Sequence, residues 1–170
     1  MIHNLIENGP LSASNLPIAK LMDTLSTEQA QRVLFPAPLA PDLSTSMFGY
    51  KISAGFPSPA DDYVEDKLDL NQLLIHNKAA TFFLRVKGDS MINAGIHDGD
   101  IIVVDRSITP TDGAVVVAVV DGELTVKRLK FDCNIPELHA ENPMYAPICF
   151  KKGQEMMIWG VVTSAVHAVK

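Results

Sequence analysis

Ser90 has the setting in this sequence that best suits a nucleophile. It lies in the segment 88–91 (Gly-Asp-Ser-Met), between the apolar runs 82–86 and 101–104. Glycine allows a sharp turn of the backbone, and such a turn can hold a serine hydroxyl clear of a sheet, where it could attack a carbonyl carbon. A Gly-x-Ser turn between strands is usually only a turn, so the pattern gains weight only if the chain also supplies a base.

Lys127 is the candidate base, because the pattern around it places its side chain on an apolar face. Residues 123–130 alternate with the period of two that is typical of a strand. Lys127 therefore points the same way as Leu129, which we expect to be buried. A buried amine is costly unless it is partnered or neutral, and a neutral amine can accept a serine proton. A lysine that extends along the surface into solvent is the alternative interpretation.

Strand-like runs surround both residues and predict a mostly β fold with short, curved strands and small helices at the edge. The runs are 81–87, 100–105, 113–120, 123–130 and 156–169. The third is apolar enough to be buried on both faces, and Asp121-Gly122 predicts a two-residue hairpin after it. Gly160 predicts a bulge or a close backbone approach in the last run. We expect that last run to be an exposed edge strand.

Shorter segments have weaker patterns. Short helices are predicted over 18–25, 26–34 and 62–68, a helix or a covering loop over 68–75, and turns over 134–137 and 142–146. Ser26 is the expected N-cap of the second helix. His167 is interpreted as an edge-strand residue rather than a ligand, and the other histidines are scattered and predict no metal site.

Residues 1–54 differ in composition from the rest and predict a partly ordered arm. They hold five of the eleven prolines. Their charged residues are Lys20, Arg32 and Lys51 against Glu7, Asp23, Glu28 and Asp42, a net charge of −1. A DNA-reading helix needs a basic face, so the arm is a poor candidate for one. Ala54-Gly55 is a small pair that would let an extended strand approach another backbone closely; the local pattern alone favours an ordinary linker.

The composition narrows the function classes further. The net charge of −6 and the pI near 5.2 disfavour direct binding of nucleic acid, which depends on contacts to phosphate. Cys133 and Cys149 have neither metal-binding nor redox spacing, and two reduced cysteines are favoured over a disulfide. The sequence predicts no signal peptide, and no apolar run approaches the roughly 20 residues that span a bilayer. We therefore expect a cytoplasmic protein without a membrane segment.

Several dispersed motifs together resemble a known family. The segments 54–56 (Ala-Gly-Phe), 88–91 and 125–127 (Thr-Val-Lys) resemble, in that order, the cleavage site, the nucleophile and the base of the LexA-like serine–lysine self-cleaving peptidases. Further segments are similar to the UmuD-like members of that family: 55–60, 69–75, 95–100 and 121–127. The 37-residue spacing from Ser90 to Lys127 also matches. The similarity runs from about Gly55 to the C-terminus.

The resemblance implies a role for each matching residue. Ser90 would be the nucleophile, and its backbone N–H would contribute to the oxyanion hole. Lys127 would be the general base, and Ala54–Gly55 would be the scissile bond. The implied organisation is an N-terminal arm, 1–54, that is removed by self-cleavage from a peptidase domain, 55–170. The sequence itself predicts no cofactor and no metal.

The resemblance also implies partners. The activator would be the RecA filament on single-stranded DNA, and the cleaved form would serve error-prone synthesis with a Y-family, UmuC-like polymerase subunit. A homodimer is expected, with the last strand as a possible contact. The arm is longer than that of UmuD-like proteins and shorter than the DNA-binding domain of a LexA-type repressor. A repressor or anti-repressor regulated by self-cleavage is therefore the alternative function, and a plain binding module is the third.

Overall fold

The computed structural model describes residues 22–23, 25–26, 33–36, 45–48, 64–150 and 156–169. Most of the predicted N-terminal arm, the predicted helix over 18–25 in large part, and both Ala54 and Gly55 lie outside these residues. Among the residues described, no helix has the length and apolar character needed to cross a membrane.

The described part of the chain is built mainly from antiparallel strands, so the predicted mostly β fold is confirmed. Its elements are β1 Val33–Leu34, β2 Thr45–Phe48, β3 Val64–Leu68, α1 Leu70–Leu74, β4 Thr81–Arg85, a 3-10 turn Ile92–Ala94, β5 Ile101–Asp105, β6 Val115–Val120, β7 Glu123–Asp132, β8 Ile135–His139, β9 Ile148–Cys149 and β10 Met156–Val166. The chain divides into one unit of residues 1–36 and 77–170 and another of residues 37–76.

Eight of the described strands form one sheet in the first unit. Their order is β1-β4-β5-β10-β6-β7-β8-β9, and every neighbouring pair is antiparallel. Strand β6 contributes Val117 to one apolar cluster and Val116 and Ala118 to another. Because successive side chains of a strand point to opposite faces, β6 is buried on both faces, as its apolar sequence predicted.

The second unit has a smaller sheet. Strand β2 pairs with β3 in antiparallel register, and helix α1 follows, with the Asp69 carboxylate accepting a hydrogen bond from the Asn71 backbone N–H at 2.8 Å. Of the two alternatives predicted over 68–75, a helix or a covering loop, the structure has the helix, from Leu70 to Leu74. The predicted helix over 62–68 is wrong, because the backbone of β3 finds its hydrogen-bond partners in β2; pairing with a distant strand overrides weak local helix propensity.

Two other local predictions were wrong for similar reasons. The helix predicted over 26–34 does not reach its expected end, because Val33–Leu34 pair with β4, and Val33 is buried in the core. Of the turn predicted over 134–137, only Asn134 lies in a turn, because Ile135–His139 form strand β8, paired with β7. The turn itself is Cys133-Asn134, whose φ angles of 46° and 69° are the positive values that a two-residue hairpin needs. The predicted Asp121-Gly122 hairpin is confirmed.

Strand β10 lies between β5 and β6, so the prediction that it is an edge strand was wrong. The irregularity predicted at Gly160 is confirmed, because the register with β6 shifts between Ile158 and Gly160. A Cβ at Gly160 would lie 2.8 Å from Val104 Cγ1 and 2.9 Å from the Asp105 carbonyl oxygen, so glycine alone fits without a shift. His167 follows the end of β10 instead of lying in an edge strand.

Candidate active site

The segment 86–100, named here the nucleophile loop, connects β4 to β5 and carries Ser90. Its two ends are joined by backbone hydrogen bonds, from Val86 N–H to the Asp100 carbonyl at 2.8 Å and from Gly99 N–H to the Val86 carbonyl at 3.0 Å. Inside the loop, Gly88 N–H donates to the Asp98 carboxylate at 2.6 Å. Gly88 has a φ of 94°, a backbone conformation that side chains with a Cβ rarely adopt. The sharp turn ahead of Ser90 therefore depends on this glycine.

Buried residues hold the nucleophile loop in place. Met91 and Ile96 are buried in the main apolar cluster, and Ile96 N–H donates to the Met91 carbonyl at 3.3 Å. Asp100 at the end of the loop is also buried. Burial by itself would raise the pKa of Asp100, but hydrogen bonds from the His97 N–H and the His167 ring hold that pKa below its ordinary value. Ser90 is thus attached to a loop fixed on the core.

Strand β7 positions Lys127 opposite Ser90. Lys127 pairs with Val116 across β6 and β7 and shares its face with the fully buried Leu129, as the alternating sequence predicted. The Lys127 side chain does not extend into solvent, since the residue is 8% exposed. Its Nζ lies 2.8 Å from Ser90 Oγ and donates to the Val126 carbonyl at 3.0 Å. The fold thus brings together two residues that are 37 positions apart.

Burial lowers the pKa of Lys127 below the ordinary lysine value, because removal from water disfavours the ammonium form. When protonated, Nζ donates a hydrogen bond to Ser90 Oγ. When neutral, it can accept the Ser90 hydroxyl proton across the same 2.8 Å contact. A nucleophile within hydrogen-bond distance of a base whose pKa is lowered has the arrangement needed for attack on a carbonyl.

A cleft of about 270 Å³ adjoins the two residues. Its walls include Leu84, Val117 and Leu124, with Ser90 and Lys127 also lining it. Charged and polar residues such as Lys87, Asp89 and Tyr145 also line it, and this mixture of apolar and polar walls suits an extended peptide. The predicted scissile residues Ala54 and Gly55 lie outside the described residues, and the predicted oxyanion role of the Ser90 N–H stays a prediction.

The sequence analysis missed the contacts that fix Asp89, the residue before Ser90. Asn142 Nδ2 donates to the Asp89 carbonyl at 3.1 Å, and Tyr145 Oη donates to the Asp89 carboxylate at 2.5 Å. This contact raises the pKa of the Tyr145 hydroxyl. The segment 142–146 was predicted only as a turn; the position of its side chains against Asp89 follows from the fold.

Glu141, directly before the segment 142–146, contacts both the nucleophile loop and the strand that carries Lys127. Glu141 accepts a hydrogen bond from Asn93 N–H at 2.9 Å through its carbonyl, and its carboxylate pairs with the Arg128 guanidinium. Arg128 also donates to the Gly113 carbonyl at 2.6 Å. Residues 141–145 therefore connect the nucleophile loop with the residue that follows Lys127.

If Ser90 cuts its own chain, as the resemblance implies, Tyr145→Phe should slow that cleavage while leaving the fold intact. The change removes one anchor of Asp89 and loosens the placement of Ser90, for which we expect a loss of roughly threefold to tenfold in rate. The measurement is the fraction of cleaved chain against time by intact mass. Met144→Ala is the matched control, because Met144 is a neighbouring exposed side chain. A Tyr145→Phe rate equal to that of the control would contradict the positioning role.

The sequence of this chain is similar to known proteins over most of its length. Residues 46–163 match the family model described as Peptidase S24-like, a span that includes Ser90 and Lys127. Protein SamA of Salmonella typhimurium is 47% identical over 124 residues, which cover 73% of this chain and 86% of that protein. Protein MucA of Escherichia coli is 44% identical over 119 residues, covering 68% and 80%. LexA repressor 2 of Geobacter sulfurreducens is 42% identical over 123 residues, covering 72% and 59%.

Proposed function

This chain belongs to the S24 peptidase family and is a UmuD-type, self-cleaving serine peptidase, and we propose that its Ser90 and Lys127 cut its own Ala54–Gly55 bond. The observation that carries the proposal is the 2.8 Å contact between Lys127 Nζ and Ser90 Oγ. Burial of a lysine costs folding free energy, so its placement against a serine hydroxyl is not explained by stability. A serine nucleophile, in contrast, requires such a base.

The reaction follows from these two side chains. Neutral Lys127 removes the proton of Ser90 Oγ as that oxygen bonds to the carbonyl carbon of Ala54, and the backbone N–H of Ser90 stabilises the resulting oxyanion. Lys127 then gives its proton to the nitrogen of Gly55 as the Ala54–Gly55 C–N bond breaks. Water, deprotonated by Lys127, finally hydrolyses the ester on Ser90. The products are an arm ending at Ala54 and a peptidase domain, 55–170, beginning at Gly55.

Regulation acts on the position of the arm. Because the substrate is part of the same chain, its effective concentration at Ser90 depends on geometry rather than on diffusion. An activator that favours the docked arm therefore accelerates cleavage without supplying chemistry. We assign that part to the RecA filament on single-stranded DNA, which places the reaction in the cytoplasm during the response to DNA damage.

The cleaved chain then serves error-prone translesion synthesis as a homodimer, together with a Y-family, UmuC-like polymerase subunit. The extent of the matches supports this function over a repressor. The similarity covers 80–86% of the UmuD-like relatives SamA, ImpA and MucA, but 59% of LexA repressor 2. The acidic composition, with a net charge of −6, also favours action through protein partners.

The intact mass after incubation with RecA, single-stranded DNA and a nucleoside triphosphate tests the proposal. We expect two fragments, one that ends at Ala54 and one that begins at Gly55. When RecA or DNA is omitted at neutral pH, we expect the chain to stay uncut. Ser90→Ala incubated in the same mixture controls for cleavage by a contaminating protease. Cleavage at another peptide bond would refute the assigned site, and an uncut wild-type chain would refute RecA as the activator.

A further inference from the structure

His97, Asp100 and His167 form a second cluster of chemically competent side chains, apart from Ser90 and Lys127. The Nδ1 atom of His167 lies 2.8 Å from Asp100 Oδ1, and the Nδ1 atom of His97 lies 3.6 Å from Asp100 Oδ2. The two imidazole rings are 4.7 Å apart between centroids. One potential ligand atom from each residue falls within 4.8 Å of the others. The fold therefore gathers three donor groups from the nucleophile loop and from the end of β10.

The carboxylate of this cluster is buried, whereas its two histidines are partly exposed. The Asp100 side chain is 3% exposed, whereas those of His97 and His167 are 41% and 48% exposed. The His97 Nδ1 atom is nevertheless buried and has no hydrogen-bond partner among the described residues. Buried polar atoms nearly always have a partner, and the Asp100 carboxylate at 3.6 Å is too distant for a hydrogen bond, so this nitrogen is available to a ligand. The exposed edges of both rings leave a path by which an ion and its water can enter.

We propose that His97, Asp100 and His167 bind a zinc ion. Two imidazole nitrogens and one carboxylate oxygen are a common protein ligand set for zinc, with water in the fourth position. With metal–ligand distances of about 2.0–2.1 Å, tetrahedral ligand atoms stand roughly 3.4 Å apart. In the present structure the two nitrogens face different oxygens, His167 Nδ1 at 2.8 Å from Oδ1 and His97 Nδ1 at 3.6 Å from Oδ2. The partly exposed rings would therefore rotate to bring both nitrogens to an ion held by one of these oxygens. Calcium and magnesium prefer a larger set of oxygen ligands, so the two imidazoles favour zinc.

The location of the site gives binding a structural consequence. In sequence, His97 and Asp100 flank Asp98. The Asp98 carboxylate accepts a hydrogen bond from the backbone N–H of Gly88, two residues before Ser90. His167 belongs to the segment that follows β10. A zinc ion would therefore join the end of β10 to the nucleophile loop and would stabilise the folded chain by mass action. This inference does not depend on the proposed cleavage at Ala54–Gly55.

Isothermal titration of the full-length, untagged chain with zinc chloride tests the proposal. We expect one zinc ion per chain and an unfolding temperature that rises with zinc. His97→Gln and His167→Gln should each weaken binding at least tenfold and remove the thermal shift, since each deletes one of three ligands. Both histidines are partly exposed, so these variants should fold, and their unfolding temperatures without zinc check that they do.

His139→Gln is the matched control, because His139 is also a histidine paired with a carboxylate, that of Glu137 at 2.7 Å, but it lies outside the cluster of His97, Asp100 and His167. It should bind zinc as the wild type does. Failure of the wild-type chain to bind zinc would overturn the proposal, leaving a hydrogen-bonded histidine–aspartate cluster. Unchanged binding in His167→Gln, or an equal loss in His139→Gln, would place the ion elsewhere and overturn it as well.

Discussion

Ser90→Ala is expected to stop cleavage of the Ala54–Gly55 bond, with a loss of rate of roughly 10⁴-fold or more. The substitution removes the one atom that would bond to the Ala54 carbonyl carbon, and Lys127 cannot replace it as an oxygen nucleophile. Lys127→Ala should lower the rate by a similar factor, because residues that act as a unit do not contribute additively. Time courses of intact mass, with and without the RecA filament, measure both losses.

The fold should survive both changes well enough for a clear comparison. Ser90 is a partly exposed loop residue, and its loss leaves the Lys127 amine with the Val126 carbonyl as a partner. Ser107→Ala is the matched control, since it removes a hydroxyl that contacts the Asp105 carboxylate in a different loop. We expect the control to cleave at the wild-type rate. Cleavage at Ala54–Gly55 by Ser90→Ala would exclude Ser90 as the nucleophile.

Alkaline pH is expected to activate cleavage of the wild-type chain in the absence of RecA. Burial lowers the pKa of Lys127, and only the neutral amine can accept the Ser90 proton. At pH values below that pKa, the neutral fraction rises about tenfold with each pH unit, so the rate should rise by the same factor. The rise should end at the folded-state pKa of Lys127, which lies below the ordinary lysine value of about 10.4.

Rates of cleavage from neutral pH to about pH 10 give this profile directly. Lys127→Arg is the control for the titrating group, because a guanidinium stays protonated throughout and cannot act as the base. Circular dichroism of Ser90→Ala across the same range shows whether the fold persists while no chain is cut. A flat profile in the wild type, or the same alkaline rise in Lys127→Arg, would assign the base to another group.

Local sequence patterns identified both the strands and the residues of the candidate dyad. The alternation over 123–130 placed Lys127 on the face of Leu129, and the structure confirms that both are buried. The apolar run that became β6 was correctly interpreted as buried on both faces. The hairpin at Asp121-Gly122 was also evident, because two-residue turns demand particular backbone angles that few residues accept. These features depend on neighbouring residues, which is why the sequence reveals them.

Short segments were predicted less well, because their conformation depends on distant partners. Val33–Leu34 form a strand through pairing with β4, and Val64–Leu68 through pairing with β2. Ile135–His139 form a strand because the turn at Cys133-Asn134 reverses the chain and places them beside β7. In each segment the backbone hydrogen bonds to another strand outweigh a small intrinsic preference.

The sequence by itself therefore determined the fold class, the strands on either side of Ser90 and the apolar face that carries Lys127. Only the tertiary structure decided that Nζ and Oγ meet at 2.8 Å, that Tyr145 holds Asp89 across 56 positions, and that His167 reaches Asp100 across 67. The physical reason is that period and turn chemistry act between near neighbours. Contacts across a sheet are fixed by strand pairing. The end of β10 reaches the nucleophile loop because Val166 pairs with Ile101, the first residue after that loop.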